Sequence, residues 1–273
     1  MDATDDPRIT RLGVEDAAAG LALSTEAHWN QNEDDWRFFL SDGVVFGIRH
    51  GAQLLATAAL LPYPGDNAWI SMVLVTASHR RRGLATRLVD ACLATARKRG
   101  LTSWLDATPD GAAVYGPLGF TPTLQLRRLK LVKSASTSGQ APSSATFDAL
   151  RARDRRTTGL DRTALLSAFA QRPGSRIVSA SGAIALVRDG RTARHIGPLF
   201  ADDAAAALTL VDAIARSETG PLLLDAVASQ AAFPEALTAS GWRIERPFQR
   251  MRFGPATAAG EEMPFAVAGP EFG

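Results

Sequence analysis

Three short words occur twice in this chain, in the same order. Leu88-Val89-Asp90-Ala91 returns as Leu210-Val211-Asp212-Ala213, Leu105-Asp106-Ala107 as Leu224-Asp225-Ala226, and Gly119-Phe120 as Gly241-Trp242. Each word alone is common. In one shared order, on segments that read strand, helix, strand, helix, strand, they predict a duplicated α/β unit. The other reading is an unrelated second α/β domain that uses the same frequent words. The length of 273 residues suits two units at about 150 residues per domain. Residues 133–146, KSASTSGQAPSSAT, have no hydrophobic period and the composition of a linker. Residues 254–273 carry Gly, Pro and Ala and read as a loose tail or a surface-draped extension. The expected domains are therefore 8–132 and 147–253.

Composition narrows the class. At 46% hydrophobic and 21% charged residues the chain is an ordinary globular one. A formal net charge of +2 is too small to imply a polyanion, so no nucleic-acid partner is expected. The single cysteine, Cys92, excludes an intramolecular disulfide and leaves no cysteine cluster for zinc, so no metal is expected. No apolar run approaches the ~18 residues of a membrane span, and residues 1–8 are acidic and polar rather than a secretory apolar region. The expectation is a cytoplasmic protein without a membrane partner.

The first half reads as a short strand at 9–12, helices at 15–27 and 33–40, and strands at 44–49 and 53–61 turned at His50-Gly51. Residues 69–75, WISMVLV, form a nearly continuous apolar run, the pattern of a strand buried on both faces. A helix follows at 83–99, with Leu84, Leu88, Ala91, Cys92 and Thr95 on one face and Gly100 as its stop. A strand at 103–107, a short helix at 111–118 and a strand at 120–132 complete the half.

The chemistry concentrates where the apolar strand runs into the long helix. After Val73, Leu74 and Val75 comes a short turn, then Arg80, Arg81, Arg82, Gly83, Leu84, Ala85 and Thr86. The first turn of a helix presents unpaired N–H groups and the positive end of the helix dipole. Gly83 and Ala85 clear side-chain bulk so that an anion can approach the backbone, and the arginines add phosphate-matching charge. The pattern is a pyrophosphate-binding device with neither the Rossmann nor the Walker spacing. A solvated helix cap or a local basic patch is the plainer reading of the same residues.

Arg-x-x-Gly-x-Ala between a strand and an amphipathic helix resembles the acetyl-CoA loop of the GNAT N-acetyltransferase superfamily. Tyr115-Gly116-Pro117-Leu118-Gly119-Phe120 resembles that superfamily's Tyr-x-x-Leu-Gly-Phe ending. The resemblance covers about residues 8–132. It implies an α/β (α+β) fold of two GNAT-like domains, each a mixed, mostly antiparallel sheet flanked by helices, the second a degenerate copy. It further implies direct transfer of an acetyl group from acetyl-CoA, a cosubstrate, to the primary amine of a small-molecule acceptor. Val73, Leu74 and Val75 would pair with the pantetheine arm, and an N–H near Val73 or Leu74 would polarise the thioester carbonyl. Arg80 to Thr86 would hold the pyrophosphate. Tyr115 would protonate the leaving thiolate, where otherwise it is a half-buried packing tyrosine. The strand at 69–75 carries no Glu, so the base is left unassigned among Asp106, His79 and His28.

Trp29, Asn30 and Gln31 lie where family members place the acceptor wall, although Asn32 also reads as a helix cap and Trp29 and Trp36 as core. The stretch from Trp29 to Trp36, with His195-Ile196-Gly197-Pro198-Leu199 and Phe248-Gln249-Arg250-Met251, is similar to a bacterial subgroup of tandem GNAT proteins. The second half has no Arg-x-x-Gly. Asp202 and Asp203 stand in its place, and Asp202 reads as a helix cap whose charge would repel a pyrophosphate. One CoA per chain is expected, with His195 and Asp225, beside Asp106, as candidate lining residues of the acceptor pocket. Two other functions compete: a non-catalytic acyl-CoA binding or sensing protein, and a nucleic-acid module resting on Arg80 to Arg82. The assembly is expected to be a monomer or a homodimer.

Overall fold

A computed structural model describes residues 8–132, 141–256, 260 and 262–273. Residues 133–140 of the expected linker lie outside the described residues. The first half runs β1 (Ile9–Arg11), α1 (Ala17–Glu26), α2 (Glu33–Asp42), β2 (Val44–His50), β3 (Gln53–Tyr63), β4 (Asn67–Val75), α3 (Leu84–Lys98), β5 (Thr102–Ala107), α4 (Pro109–Tyr115) and β6 (Thr121–Leu131). The second runs β7 (Ser143–Ser144), α5 (Phe147–Thr158), α6 (Thr163–Ala170), β8 (Arg176–Ala180), β9 (Ala183–Arg188), β10 (Arg194–Ala201), α7 (Ala204–Ser217), β11 (Leu222–Val227), α8 (Ala232–Ala239) and β12 (Arg243–Phe253).

The fold is mixed α/β and the sheet mostly antiparallel. Only β4–β5 and β10–β11 are parallel pairs among the described strands. The repeated words fall on equivalent elements: Leu88 and Leu210 on α3 and α7, Asp106 and Asp225 on β5 and β11. Gly119 and Gly241 both enter the last strand of their half at left-handed φ, +95° and +94°.

The 12 strands form one continuous sheet in the order β1-β2-β3-β4-β5-β12-β6-β11-β10-β9-β8-β7. Its centre is exchanged between the halves. β6 pairs with β11 of the second half, and β12 pairs with β5 of the first, while β6 and β12 pair with each other. The repeated aspartates reinforce this exchange. Asp106 on β5 holds Arg250 of β12 through two bonds of 2.8 Å, and Asp225 on β11 holds Arg128 of β6 through bonds of 2.8 and 2.9 Å.

α3 buries Leu84, Leu88, Val89, Cys92, Leu93 and Ala96 against the first half's sheet, and α7 covers the equivalent face of the second. α1, α2, α5 and α6 share one core that contains Trp36, Phe39 and Phe169 together with Phe272. That last residue corrects the expectation of a loose tail. Phe265, Ala266, Val267, Ala268 and Phe272 are all nearly or fully buried. The Phe272 ring stacks on Phe39 with centroids 4.8 Å apart and meets Phe169 edge-on at 4.9 Å. The apolar word Phe-Ala-Val-Ala is too short to show a period, and the flanking Gly and Pro made it look like linker.

Candidate active site

β4 and β5 pair only at their beginnings, from Asn67–Thr102 to Trp69–Trp104. Beyond Trp69 the two strands diverge and leave a gap. A bulge in β4 helps to open it. Met72 and Val73 together oppose the single residue Ala58 of β3, and Met72 takes a left-handed φ of +51°. The Thr57 hydroxyl fixes the bulge by donating to the Met72 carbonyl at 2.8 Å. A cavity of about 90 Å³ occupies the gap, with Ile70 to Val73 on one wall and Leu105 to Thr108 with Tyr115 on the other. Its far side is closed by Trp29, Arg128, Arg246, Phe248, Pro270 and Glu271.

Beyond β4 the chain turns into α3. Gly83 is the cap of that helix at φ +75°, and a Cβ there would meet nothing within 4 Å. Among the described residues no side chain caps α3, and its first turn has no acidic residue, so its leading N–H groups are available to an anion. Arg81 and Arg82 are exposed beside it. Arg80 donates to the Val75 carbonyl at 3.3 Å and Arg82 to the Ser78 carbonyl at 3.1 Å, which folds the turn back on the strand end. Glu26 anchors the turn from α1 by accepting from the Ala77 N–H and the Thr76 hydroxyl. The unpaired edge of β4 and the uncapped helix together form a cradle that suits an extended amide-bearing arm ending in phosphates. Among the described residues no group of three or more His, Cys, Asp or Glu is placed to hold a metal ion.

The second half repeats this geometry and fills it. β10 and β11 pair only at Arg194–Leu222 and His195–Leu223, and β10 bulges at Gly197 and Pro198. The segment from Phe265 to Val267 lies in the resulting gap. Ala266 bridges Leu199 and Ala226, the Leu199 N–H donates to Ala266, and the Val267 N–H donates to the Asp225 carbonyl at 3.0 Å. A Cβ on Gly197 would sit 2.2 Å from the Val267 carbonyl oxygen, so only glycine admits the segment there. Helix α7 is also closed to an anion, because the Asp203 side chain accepts from the Ala206 N–H at 2.8 Å. Asp203 rather than Asp202 is thus the cap. Asp202 pairs with Arg153 instead.

The expected acceptor residues separate. Trp29 lines the cavity. Asn30 does not line it: its amide clamps the second half, with its oxygen accepting from Thr192 and Ala193 and its nitrogen donating to the Ala193 carbonyl. Gln31 is buried and donates to the Glu271 carboxylate. Asp106 reaches the cavity wall but is committed to Arg250. Burial raises its pKa against the pull of that guanidinium. His195 and Asp225 do not line the cavity either. They form a buried chain behind it, His195 Nε2 lying 3.1 Å from Asp225, which holds Arg128. Burial, then the charge of Arg188, push His195 down to about 4, whereas Arg128 and the His195 bond hold Asp225 far below the usual carboxylate range against its own burial.

Tyr115 presents a protonated phenol to the cavity, since burial pushes it up to about 12. Sequence reasoning missed Arg246, Phe248 and Glu271. The Glu271 carboxyl is raised by burial, with Arg128 and Arg188 pulling it down, Asp35 pushing it up and the Gln31 bond lowering it. The residues around Phe248 carried a signal through the tandem-protein likeness. Glu271 carried none, because the path of its segment depends on the second gap.

A diverging parallel strand pair, a bulge at the divergence and a glycine-led, uncapped helix define the acetyltransferase class of acyl-CoA proteins. The family comparisons agree: residues 15–120 match the acetyltransferase (GNAT) family and residues 150–266 an acetyltransferase (GNAT) domain. The chain belongs to the GNAT family, carries two such domains in tandem and is an acyltransferase. It is 22% identical over 254 residues to the uncharacterized N-acetyltransferase YitH of Bacillus subtilis, covering 89% of each chain. A provisionally described acetyltransferase of Pyrococcus horikoshii shares its fold at a TM-score of 0.82 and 18% identity, with 100% of this chain and 98% of that one covered. A tandem GNAT protein from the clavulanic acid biosynthesis pathway aligns at a TM-score of 0.64 and 14% identity, over 92% of this chain and 100% of its own.

Proposed function

We propose that this protein transfers an acetyl group from acetyl-CoA to the primary amine of a small acceptor by direct attack. Segment 8–132 holds the donor, and segment 147–253 walls the acceptor side. The observation that carries the reading is the open gap between β4 and β5, which ends on Tyr115 and leads to the uncapped start of α3. Its counterpart in the second half is plugged and capped, which supports one CoA per chain.

The roles follow from the chemistry available at each position. The backbone of Val73, Leu74 and Val75 would pair with the pantetheine arm, and an N–H at the bulge would polarise the thioester carbonyl. The N–H groups of Leu84, Ala85 and Thr86, with Gly83 and the side chains of Arg80, Arg81 and Arg82, would bind the pyrophosphate. Tyr115 would donate to the departing sulfur. A thiol has a pKa of about 8.5, well below that of this phenol, so Tyr115 holds its proton until the thiolate forms and then stabilises it by a hydrogen bond. The reaction needs the acceptor amine in its neutral form, and holding both reactants in one cleft supplies much of the acceleration.

Calorimetric titration with acetyl-CoA tests the reading. One site per chain in the wild type is expected, with binding lost in Gly83→Glu, which sets a carboxylate where the pyrophosphate would sit. Wild-type protein that fails to bind acetyl-CoA would overturn it.

A further inference from the structure

The cavity lining carries four charged side chains, of which two are already committed: Asp106 to Arg250 and Arg128 to Asp225. Glu271 and Arg246 form no ion pair among the described residues. Arg246 leans over the Phe248 ring, 6.0 Å from its centroid, and feels the charges of Glu245 and Asp225 without pairing with either. Among the described residues the one hydrogen-bond partner of the Glu271 carboxyl is Gln31.

The route of residues 265–273 explains why Glu271 stands there. The segment first fills the gap between β10 and β11, then crosses to the first half. The Arg188 guanidinium donates to the Ala268 carbonyl at 2.8 Å. The Trp69 indole donates to the Pro270 carbonyl at 3.1 Å and the Tyr63 hydroxyl to the Phe272 carbonyl at 2.6 Å. Arg162, paired with Asp154, donates to the Gly273 carbonyl. The backbone is held at four points, Phe272 packs among Phe38, Phe39 and Phe169, and Glu271 between them lines the cavity.

Building on the transferase reading above, we propose that the acceptor is a small amine that also carries a carboxylate, with Glu271 receiving its ammonium group and proton and Arg246 binding its carboxylate. A neutral, hydrophobic amine would leave both charges in the cavity unanswered, and a polycation would find one free carboxylate, Glu271, and be repelled by Arg246. The step balances as follows. The ammonium passes one proton to the Glu271 carboxylate, and the freed nitrogen lone pair attacks the thioester carbonyl carbon. The C–N bond forms and the C–S bond breaks. The second nitrogen proton goes to the departing thiolate, which Tyr115 steadies, and Glu271 returns its proton to water. The charged groups that set the proton affinity of Glu271 are Arg128 from β6, Arg188 from β9 and Asp35 from α2, with Gln31 as hydrogen-bond donor. Burial makes its carboxylate a stronger base than an exposed one.

The test measures thiol release from acetyl-CoA with a panel of α- and ω-amino acids, each beside its carboxamide and its decarboxylated amine. An amino acid turned over with kcat/KM at least about tenfold above its carboxamide is expected. Arg246→Met is expected to erase that preference through KM. Glu271→Gln is expected to lower kcat about 100-fold and to replace the acidic limb of the pH profile with a rate that climbs toward the pKa of the free amine. Calorimetric affinity for acetyl-CoA within about threefold of wild type shows that both variants are folded. Equal turnover of acid and amide, unchanged kcat and pH profile in Glu271→Gln, or donor binding with no amino acid acetylated would each overturn the proposal. Absence of donor binding in the wild type would instead sink the transferase reading on which it rests.

Discussion

Gly83 combines two requirements in one residue, a φ of +75° and open space where a side chain would begin. These separate experimentally. Gly83→Ala adds a methyl group that touches nothing and costs only the left-handed backbone, about 1–2 kcal/mol. It is expected to keep acetyl-CoA affinity within about tenfold by calorimetry, a loss of that size being about 1.4 kcal/mol. A complete loss in the alanine variant would mean that the turn cannot form, and that the effect of Gly83→Glu is not electrostatic. His195 offers a second test. Its folded pKa, about 4, lies below the unfolded value near 6.5, so the native state prefers the neutral ring and the unfolded state takes up protons first. Stability contributed by this residue is complete above about pH 6.5 and declines as pH falls toward 4; Asp225, whose pKa is depressed, adds to the loss below about pH 4. Urea midpoints measured across pH 4–7 should rise with pH, and more shallowly in His195→Gln. Identical slopes would show that His195 takes up a proton as readily in the native state as in the unfolded chain. That the run from Arg80 to Thr86 turns a strand into a helix, and that Tyr115 sits on a short helix after the next strand, was legible in the sequence because each motif is contiguous. Asn30, in the loop before α2, and His195 and Asp225, on β10 and β11, read as pocket residues because a polar side chain looks the same in the sequence whether it faces a ligand or a protein partner.

Elements with a strong period were read nearly to their ends. α3 begins one residue later than expected, with Gly83 as its cap, and ends one earlier at Lys98, and β4 starts two residues earlier at Asn67. The helix expected at 111–118 instead starts at Pro109, where Thr108 accepts from the Gly111 N–H, and its end at Tyr115 gives way to turns. The segment 262–273 was the largest misreading. It has no repeating hydrogen-bond pattern of its own, and each of its apolar residues answers to a different neighbour. Phe272 is its anchor, enclosed by three phenylalanines and the Arg188 guanidinium, 5.7 Å from its ring centroid. Phe272→Ala is expected to cost about 3–5 kcal/mol in chemical denaturation, as a large cavity in a core that cannot collapse. It should also weaken turnover beyond the loss of folded protein, because Glu271 is positioned by the same residue. A loss under 1 kcal/mol would mean that the segment docks without contributing to the core.

At the scale of the whole molecule the two halves are one sheet, and this was the part the sequence could not display. Repeated words predict two similar units. They carry no information on which half receives β6 and β12, because both strands satisfy the same alternation in either place. The exchange puts a bidentate Asp–Arg pair across the junction twice, Asp106–Arg250 and Asp225–Arg128, with both carboxylates fully buried. Separating the halves would strip β5 of β12 and strand β6 with both edges bare, an invitation to pair with other chains. It would also break both Asp–Arg pairs, because Arg250 and Asp225 belong to the second half. Residues 1–140 expressed alone should therefore aggregate or self-associate. Co-expression with residues 141–273 should restore a one-to-one complex that binds acetyl-CoA, resolved by size-exclusion chromatography and calorimetry. A folded, monomeric 1–140 fragment with wild-type affinity would show that the exchanged strands decorate two independent domains, and that the acceptor wall is separable from the donor site.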